Sequence, residues 1–500
     1  MAGVTPPTSA ATANAPNGLL GYVVPSNFTS HYPAPPAGVK TLSTEFPSQN
    51  GVPLNDFGPR VGFAWQPVTG GHLVVRGGFG MFYDRVGSSK FVHAVEQGVP
   101  YALTLDFSGG SALPHSLANP FPSTPLGFVP RWFDPATNSS SNLNTPYYER
   151  VHAPLSRQFN LGVQYQFSRD WLLELGYVGS SGINQANYNH NINLAQLATP
   201  GNPVNGLTTS TLANAAARVP YLGYQEAGLQ ATAYDAIYNY NSLQVTVRKQ
   251  MSHGFTFQGA YTWSKDLSDL GNGNLPGEGQ TNINDANRPG TQYAPVPFSH
   301  RHRFVASYGY DLPFGNPKGA LNKLVTGWNV SGNIIAQTGT PLTVVDTSAG
   351  TAYYGAANAG TAEGGTVTAQ LAPGLTNAAI PTSGSVESRL GGASGGSGYI
   401  NKSSFVNPIA VSADGATLFG NSGIGTFFGP DQVNFDVSII KNTKITERQN
   451  VQFRAEFFNI ANHPVFGNPT GARNNAALFG VINSTVGNPR LIQFALKYSF

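Results

Sequence analysis

Apolar and polar residues alternate along much of this chain, and the alternation is clearest at its end. In the closing stretch RLIQFALKYSF, one set of alternate positions holds Ile492, Phe494, Leu496, Tyr498 and Phe500. Successive side chains of a β-strand point to opposite faces of the sheet. The pattern therefore predicts a strand with one apolar face, one mostly polar face and an aromatic last residue.

Similar alternation recurs in earlier segments, among them RQFNLGVQYQF, GFTFQGAYTWSK, VNFDVSII and VQFRAEFFN. In VQFRAEFFN, Val451 and Phe453 share one face, and Gln452, Arg454 and Glu456 share the other. Counting such segments predicts about eleven strands, each roughly ten residues long. The predicted fold class is therefore all-β and antiparallel.

The predicted connections alternate between short and long. Short ones carry turn residues, as in QPVTGG, FSRD and NTKITER, and long ones span roughly 84–155, 181–237, 267–298, 339–430 and 462–487. Structureless loops of this length are unusual in compact soluble domains. Short turns alternating with long loops are typical of membrane barrels with periplasmic turns and extracellular loops. Residues 1–59, with ten prolines, are expected to form a Pro-rich coil or an extracellular loop.

Composition narrows the possible functions. The 500 residues include no cysteine, which excludes thiol catalysis, disulfides and cysteine metal sites. Charged residues make up 10% and the net charge is +3, so no basic surface for nucleic acid is expected. No apolar run is long enough for a transmembrane helix. The first residues lack a basic segment followed by an apolar one, so they do not predict a signal peptide.

Two environments could meet the apolar faces. A soluble sandwich or propeller would pack them against a second apolar face and carry charge outside. Here the polar faces are mostly uncharged, aromatic residues lie near strand ends, and no strand centre has a charge on its apolar side, where it would cost about 2–4 kcal/mol in lipid. These features favour lipid, and strands in lipid must close into a barrel. The prediction is a transmembrane β-barrel with long extracellular loops.

Several segments, taken together and in order, resemble one family. NDFGPRVGFAWQP, YNSLQVTVRKQMSHGFTFQGAYTWSKDLSD, RHRFVASYGYDLPFG and VQFRAEFFNIANHPVFGNP resemble the C-terminal barrel of TonB-dependent receptors, in the Oar-like branch, over residues 60–500. The resemblance implies an outer-membrane barrel around a plug domain. Family barrels have about 22 strands, so about eleven strands, with no TonB box or plug in the sequence, would be the C-terminal part of a barrel and the chain a fragment.

The resemblance also implies partners. The alternating C-terminal residues with Phe500 look like an outer-membrane assembly signal, so they are expected to direct insertion and to face lipid. The expected partners are outer-membrane lipid, the barrel assembly machinery, an unknown extracellular ligand and, only if the missing N-terminal part is present, the TonB system. The expected function is ligand uptake across the outer membrane. The alternatives are a structural or adhesive surface protein on the same barrel and a secreted soluble β-enzyme.

Few residues suggest chemistry, and neither a cofactor nor an enzymatic activity is expected. The stretch from Gly392 to Gly396 matches a nucleophile elbow but lacks the strand before and the helix after it. Gly423 and Gly425 lack the third glycine of a dinucleotide site. His300 and His302 could share a metal, although a polar cluster is favoured. Arg454 and Glu456 are interpreted as an ion pair in the barrel lumen. Loop tyrosines are candidates for ligand contact: Tyr147, Tyr148, Tyr221, Tyr224, Tyr353 and Tyr354.

Overall fold

The computed structural model describes residues 23–32, 34–35, 40–41, 56–84, 143–146, 153–191, 193–220, 229–269, 284–285, 293–315, 319–358 and 367–500. Eleven strands form one continuous antiparallel path in chain order, which confirms the predicted fold class and strand number. They are β1 (Arg60–Trp65), β2 (Leu73–Tyr83), β3 (Leu155–Ser168), β4 (Trp171–Asn191), β5 (Leu229–Ser252), β6 (Phe255–Ser268), β7 (His302–Asp311), β8 (Trp328–Gln337), β9 (Gln432–Lys444), β10 (Asn450–Phe458) and β11 (Leu491–Ser499).

Shorter elements lie in the connections. The two-residue or four-residue strands are Val23–Val24, Lys40–Thr41, Leu143–Pro146, Ala294–Pro295, Pro341–Leu342, Gln370–Leu371, Phe405–Val406 and Phe427–Phe428. The helices are α1 (Ala320–Val325), α2 (Thr351–Asn358) and six 3₁₀ turns at Phe28–Ser30, Ala215–Ala217, Asn377–Ala379, Glu387–Arg389, Gly392–Ser394 and Lys402–Ser404. Among the described residues, no helix is both long enough and apolar enough to cross a membrane.

The strand register keeps apolar residues beside apolar residues across the sheet. Tyr177 of β4 lies opposite Leu243 of β5, which in turn lies opposite Trp263 of β6. On the other face, Gln337 of β8 lies opposite Gln432 of β9, and their side-chain amides are hydrogen bonded at 2.6 Å. A slip of one residue would reverse every side chain. The alternation in each strand therefore fixes its register with both neighbours.

The apolar face lies open along the sheet. Trp263 is 50% exposed and Leu496 is 75% exposed, and other large apolar side chains of the strands are similarly accessible. A soluble sandwich would bury such a face against a second sheet. Nothing in the described part of the chain covers it, so the soluble alternative is not supported. The apolar face is suited to contact with lipid.

Two strands are much longer than predicted. β4 has 21 residues and β5 has 24, so part of the connection expected at 181–237 is strand. The pairing continues to Asn191 and Gln230 across several register shifts. Sequence alternation ends before the pairing of the two strands does. Backbone hydrogen bonds then hold the pairing without an apolar face.

Two lysines lie on the apolar face at the short-turn ends of their strands. The Lys249 ammonium donates hydrogen bonds to the Ser252 hydroxyl at 2.6 Å and the Phe255 carbonyl at 3.0 Å. The Lys441 ammonium donates to the Thr326 carbonyl and lies 5.8 Å from the centre of the Trp328 ring. Each lysine thus places its stem on the apolar surface and its charge at the turn. These positions mark one boundary of the apolar zone.

The sheet is open at both ends of its path. Within the described residues, the outer edges of β1 and β11 pair with no other strand. Because neighbouring strands alternate in direction along an eleven-strand path, β1 and β11 run the same way. Closure by antiparallel pairing alone would need further strands between these two edges.

Prediction for the apolar face. Replacing Phe494, near the middle of β11, with Lys is expected to lower the free energy of unfolding by about 2–4 kcal/mol in a bilayer, because the charge would face lipid. The control is Gln493→Lys, one position away on the polar face and opposite Glu456. Urea unfolding in lipid vesicles, followed by heat-modifiable gel mobility, measures the free energy of unfolding of both variants. Equal destabilisation by the two substitutions would contradict lipid contact.

Candidate functional site

The long connections between strands form a folded unit, here called the loop domain: residues 193–220, 284–285, 339–358, 367–430 and 459–490. It contains the largest cluster of buried apolar residues in the described chain. Fully or nearly buried members are Val344, Ala369, Leu371, Ile380, Tyr399, Ile400, Phe405, Phe427, Phe479 and Ile482. The sheet is thus open on its apolar face, whereas the loops have a core of their own.

The two C-terminal loops share this core. Phe405, from the connection between β8 and β9, packs edge-on against Phe479, from the connection between β10 and β11, with ring centres 5.6 Å apart. The backbone amide of Tyr399 donates to the Gly480 carbonyl at 2.7 Å, and that of Ile482 donates to the Leu390 carbonyl at 2.9 Å. These contacts join the two loops into one body.

A buried ion pair links the same two loops. The Arg473 guanidinium contacts the Asp346 carboxylate at 2.6 Å, and its second nitrogen donates to the Asn407 side chain at 2.8 Å. Asp346 is 0% exposed and also accepts hydrogen bonds from the backbone and the hydroxyl of Ser348. Burial alone would raise the pKa of Asp346, but the Ser348 hydrogen bonds and the Arg473 charge together hold it below its ordinary value.

Arg218 connects the β4–β5 loop to the β8–β9 loop. Its side chain is fully buried and donates to the Ala352 carbonyl at 2.6 Å, to the Asn214 side chain at 2.7 Å and to the Gln196 carbonyl. A second link runs from the Leu212 backbone amide to the Asp414 carboxylate at 2.7 Å. A guanidinium has five donors in a fixed plane, so it can bind several carbonyls at once.

Asn284 brings in the β6–β7 loop. Its side chain accepts a hydrogen bond from the Thr368 backbone amide at 3.0 Å and donates to the Thr368 hydroxyl at 3.1 Å. Its carbonyl accepts from the Tyr354 hydroxyl at 2.7 Å. Four long loops therefore meet in the loop domain.

A narrow neck connects the loop domain to β8 and β9. A Cβ atom on Gly339 would lie 2.0 Å from the Gly429 carbonyl oxygen, so only glycine fits there. The Gly339 amide donates to the Asp431 carboxylate at 3.0 Å. Next to the neck, the centre of the Phe428 ring lies 4.6 Å from the Arg301 guanidinium. The Phe428 backbone carbonyl accepts a hydrogen bond from the Tyr399 hydroxyl.

Four of the predicted assembly residues lie on the apolar face of β11, and Phe500 follows the end of that strand. All five are exposed, from Ile492 through Phe494, Leu496 and Tyr498 to Phe500, which is 92% exposed. The first four lie opposite apolar residues of β10. Their role in assembly stays a prediction.

The predicted polar residues of β10 lie on the opposite face of the sheet. Gln452 accepts a hydrogen bond from the Arg454 Nε atom at 2.7 Å, and Arg454 lies 4.0 Å from Glu456. At this distance and exposure the ion pair contributes little stability. The arrangement fits a solvated polar lining and has no buried carboxylate suited to acid–base chemistry.

The two histidines have different hydrogen-bond partners. The His300 Nδ1 atom lies 2.6 Å from the Thr338 carbonyl, and the His302 Nδ1 atom lies 2.7 Å from the Tyr261 hydroxyl. No group of three or more metal-binding side chains occurs in the part of the chain that the structure describes. The interpretation of the pair as a polar cluster stays a prediction.

The glycine motifs form turns. Gly392–Ser394 is a 3₁₀ turn flanked by glycines with positive φ, and Gly423 and Gly425 also have positive φ. Of the candidate ligand-binding tyrosines, Tyr354 is 1% exposed, so burial in the loop domain excludes ligand contact. Tyr353 stacks on Phe419 with ring centres 4.1 Å apart. The candidates Tyr147, Tyr148, Tyr221 and Tyr224 lie outside the described residues.

Sequence reasoning missed the loop domain. Its core residues come from segments without periodicity, and its key polar links join Asp346 to Arg473 and Arg218 to Ala352. Apolar residues in stretches otherwise rich in small and polar residues, such as Ile380 and Ile400, were the one available signal. Their partners are distant in sequence, so pattern alone could not pair them.

Comparisons with known proteins identify the fold. The family described as "Outer membrane beta barrel domain" matches residues 14–493. A search of curated proteins finds no match.

Several solved structures also match. The ferric preacinetobactin receptor from Acinetobacter baumannii is 10% identical with a TM-score of 0.36, and the match covers 89% of this chain and 36% of that one. The outer membrane transporter YddB from Escherichia coli is 9% identical with a TM-score of 0.41, over 87% and 39%. The ferripyoverdine receptor of Pseudomonas aeruginosa is 10% identical with a TM-score of 0.38, over 88% and 32%. The chain thus spans about a third of the length of these receptors.

Prediction for the chain end. Deleting Phe500 is expected to lower the amount of protein inserted in the outer membrane, because the terminal aromatic is proposed to be part of the assembly signal. Phe500→Tyr, which keeps an aromatic ring, is the control. Outer-membrane yield and heat-modifiable gel mobility measure insertion. Unchanged values after the deletion would refute the role of this residue.

Prediction for the buried ion pair. Asp346→Asn is expected to destabilise the loop domain by about 3 kcal/mol, near the lower end for a broken buried pair because Arg473 is partly exposed. Since the folded pKa of Asp346 lies below its unfolded value, the stabilisation is complete above about pH 4 and is lost as the pH falls further. Hydrogen exchange of residues 479–482 between pH 3 and pH 7 measures both effects.

The exposed surface pair Arg454 and Glu456 supplies the control for that experiment. Glu456→Gln should leave exchange in the loop domain unchanged at every pH. If Asp346→Asn behaves like Glu456→Gln, the buried pair does not stabilise the domain.

Proposed function

The chain belongs to the outer membrane beta barrel domain family, and we propose that it forms the C-terminal part of a TonB-dependent receptor-type barrel, which takes up a ligand across the outer membrane. The protein is located in the outer membrane, with its apolar face toward lipid. In this proposal, it belongs to the Oar-like branch, and strands and a plug outside the described sheet complete the receptor.

The open sheet is the observation that carries this proposal. β1 and β11 run in the same direction and neither outer edge is paired within the described residues. A segment that pairs antiparallel with both edges must contain an odd number of strands. About eleven more strands satisfy this condition and give the roughly 22 strands of a plugged outer-membrane transporter. A second copy in the same orientation would meet both edges in parallel and is therefore disfavoured.

The polar face provides a lining for such a barrel. It has charges of both signs, including Glu174, Arg303, Asp436 and Arg454, together with amides such as the Gln337–Gln432 pair. A mixed lining of this kind suits contact with a plug domain and passage of a hydrated ligand. The loop domain, at the long-loop end of β8–β11, is suited to capture the ligand on the extracellular side.

A second candidate function is a structural or adhesive surface protein. The self-contained core of the loop domain favours it, because loops that pack against one another resemble a stable surface module more than separate ligand-closing segments. Both candidates share the barrel and need no catalytic residue. They differ in whether cells that carry the protein accumulate a compound.

Prediction for barrel closure and uptake. The chain has no cysteine, so single cysteines at Val61 in β1 and Leu491 in β11 can carry photo-crosslinkers without background. Both are expected to crosslink to strands outside residues 60–500 in the native outer membrane. Crosslinks between β1 and β11, within one chain or between two copies, would contradict the proposed larger barrel.

Uptake is tested separately by comparing the spent medium of cells with and without the protein. A receptor should deplete at least one compound, and the depletion should stop when the proton-motive force is collapsed. If no compound is depleted while cells without the protein lose surface attachment, the adhesive alternative is correct.

A further inference from the structure

Two neighbouring rows of side chains cross the polar face of β3–β6 near the long loops. The upper row, nearer the long loops, places side by side Ser156, Gly182 and Tyr238. The lower row places side by side Gln158, Ser180, Tyr240 and Asp266. Both rows lie on the long-loop side of the apolar row that contains Leu243. In the proposed barrel, they line the lumen where a ligand enters from outside the cell.

The Tyr238 side chain lies along this wall of the sheet. Its hydroxyl is hydrogen bonded to the Ser180 hydroxyl, one strand away, at 3.1 Å and to the Ser156 hydroxyl, two strands away, at 2.7 Å. Its ring occupies the space that a Cβ atom on Gly182 would fill. The two serines and the Gly182 backbone therefore hold the ring in one orientation. Tyr238 is half-buried, so the side of the ring away from the wall is accessible.

Three polar groups of the lower row are available beside this ring. The Tyr240 hydroxyl, the Asp266 carboxylate and the Gln158 amide have no hydrogen-bond or ion-pair partner in the part of the chain that the structure describes. Tyr240 lies directly opposite Asp266, and both are half-buried, whereas Gln158 is exposed. Gln158 and Asp266 are three strands apart, about 14 Å, and the two rows are about 7 Å apart. The wall thus combines one fixed aromatic ring with three unused polar groups.

The charges around this wall disfavour an anionic ligand. Asp266 is the one charged residue among the members of the two rows named above. Two guanidinium groups flank the rows, and each stacks on an aromatic ring 4.6 Å from its centre: Arg60 on Phe82, and Arg301 on Phe428. An anion beside Tyr238 would therefore meet a carboxylate of the same sign. An uncharged ligand with many hydroxyl groups avoids this repulsion and can donate hydrogen bonds to Asp266.

We propose that Tyr238, Tyr240, Asp266 and Gln158 form a subsite for an uncharged oligosaccharide. A sugar ring has an apolar face of C–H groups, which packs on an aromatic ring, and hydroxyls around its edge. The Asp266 carboxylate accepts charge-assisted hydrogen bonds from such hydroxyls, and the Gln158 amide can both donate and accept. The inference rests on the proposed receptor function and narrows it to one class of ligand.

The test uses the full-length protein, purified from outer membranes and fluorescently labelled, on an array of neutral oligosaccharides, ferric catecholates and lysine-rich peptides. At least one neutral oligosaccharide should bind in preference to the anionic and cationic probes. Asp266→Asn and Tyr238→Leu should each weaken that binding roughly tenfold, through loss of a charge-assisted hydrogen bond and of the aromatic surface. Heat-modifiable gel mobility verifies that every variant is folded.

The matched controls are Glu174→Gln, a carboxylate on the same face nearer the short turns, and Tyr177→Leu, a tyrosine on the apolar face. Both should leave saccharide binding unchanged. Binding of no neutral oligosaccharide, or equal weakening by the controls, would overturn the inference.

Binding to the purified protein needs no energised transport, so the subsite and the proposed uptake can fail separately. Saccharide binding without uptake by cells would contradict transport and support the subsite. Uptake of an anionic compound without saccharide binding would overturn the subsite and leave transport in place.

Discussion

The pairing of backbone hydrogen bonds across the sheet is the constraint on which the rest of this structure depends. In lipid, an unpaired N–H or C=O group costs several kcal/mol, so strands must be joined to neighbours on both sides. The register satisfies this for every interior strand and at the same time aligns apolar residues in rows, such as Tyr177, Leu243 and Trp263. Within the described chain, only the outer edges of β1 and β11 lack a neighbouring strand in this sheet.

The loop domain follows the opposite rule because its solvent is water. There the chain has no continuous ladder, and stability comes from burying side chains such as Val344, Ile400 and Phe479 together. Several polar groups that are buried with them are paired into the network, as in Asp346 with Arg473 and Ser348. One chain thus places apolar residues outward in one solvent and inward in the other.

This difference explains how much the sequence could reveal. Strand positions, faces and the number of strands could be predicted because alternation is local and a one-residue error reverses a face, as between Phe494 and Gln493. The lengths of β4 and β5 could not be predicted, because the strand pairing beyond Tyr177 no longer depends on alternation. The loop domain could not be predicted either, because its contacts join residues that are distant in the sequence. Examples are Arg218 with Ala352 and Asn284 with Thr368, and no local pattern marks these residues.

The connection between the two parts limits how they can move. At the neck, Gly339 and Gly429 are so close that a methyl group does not fit between them, and Asp431 holds the Gly339 amide. Four loops meet in the domain above, so displacing any one of them would break the Asn284, Arg218 or Asp346 contacts. Opening over the barrel, where it occurs, is therefore expected to move the loop domain as one body.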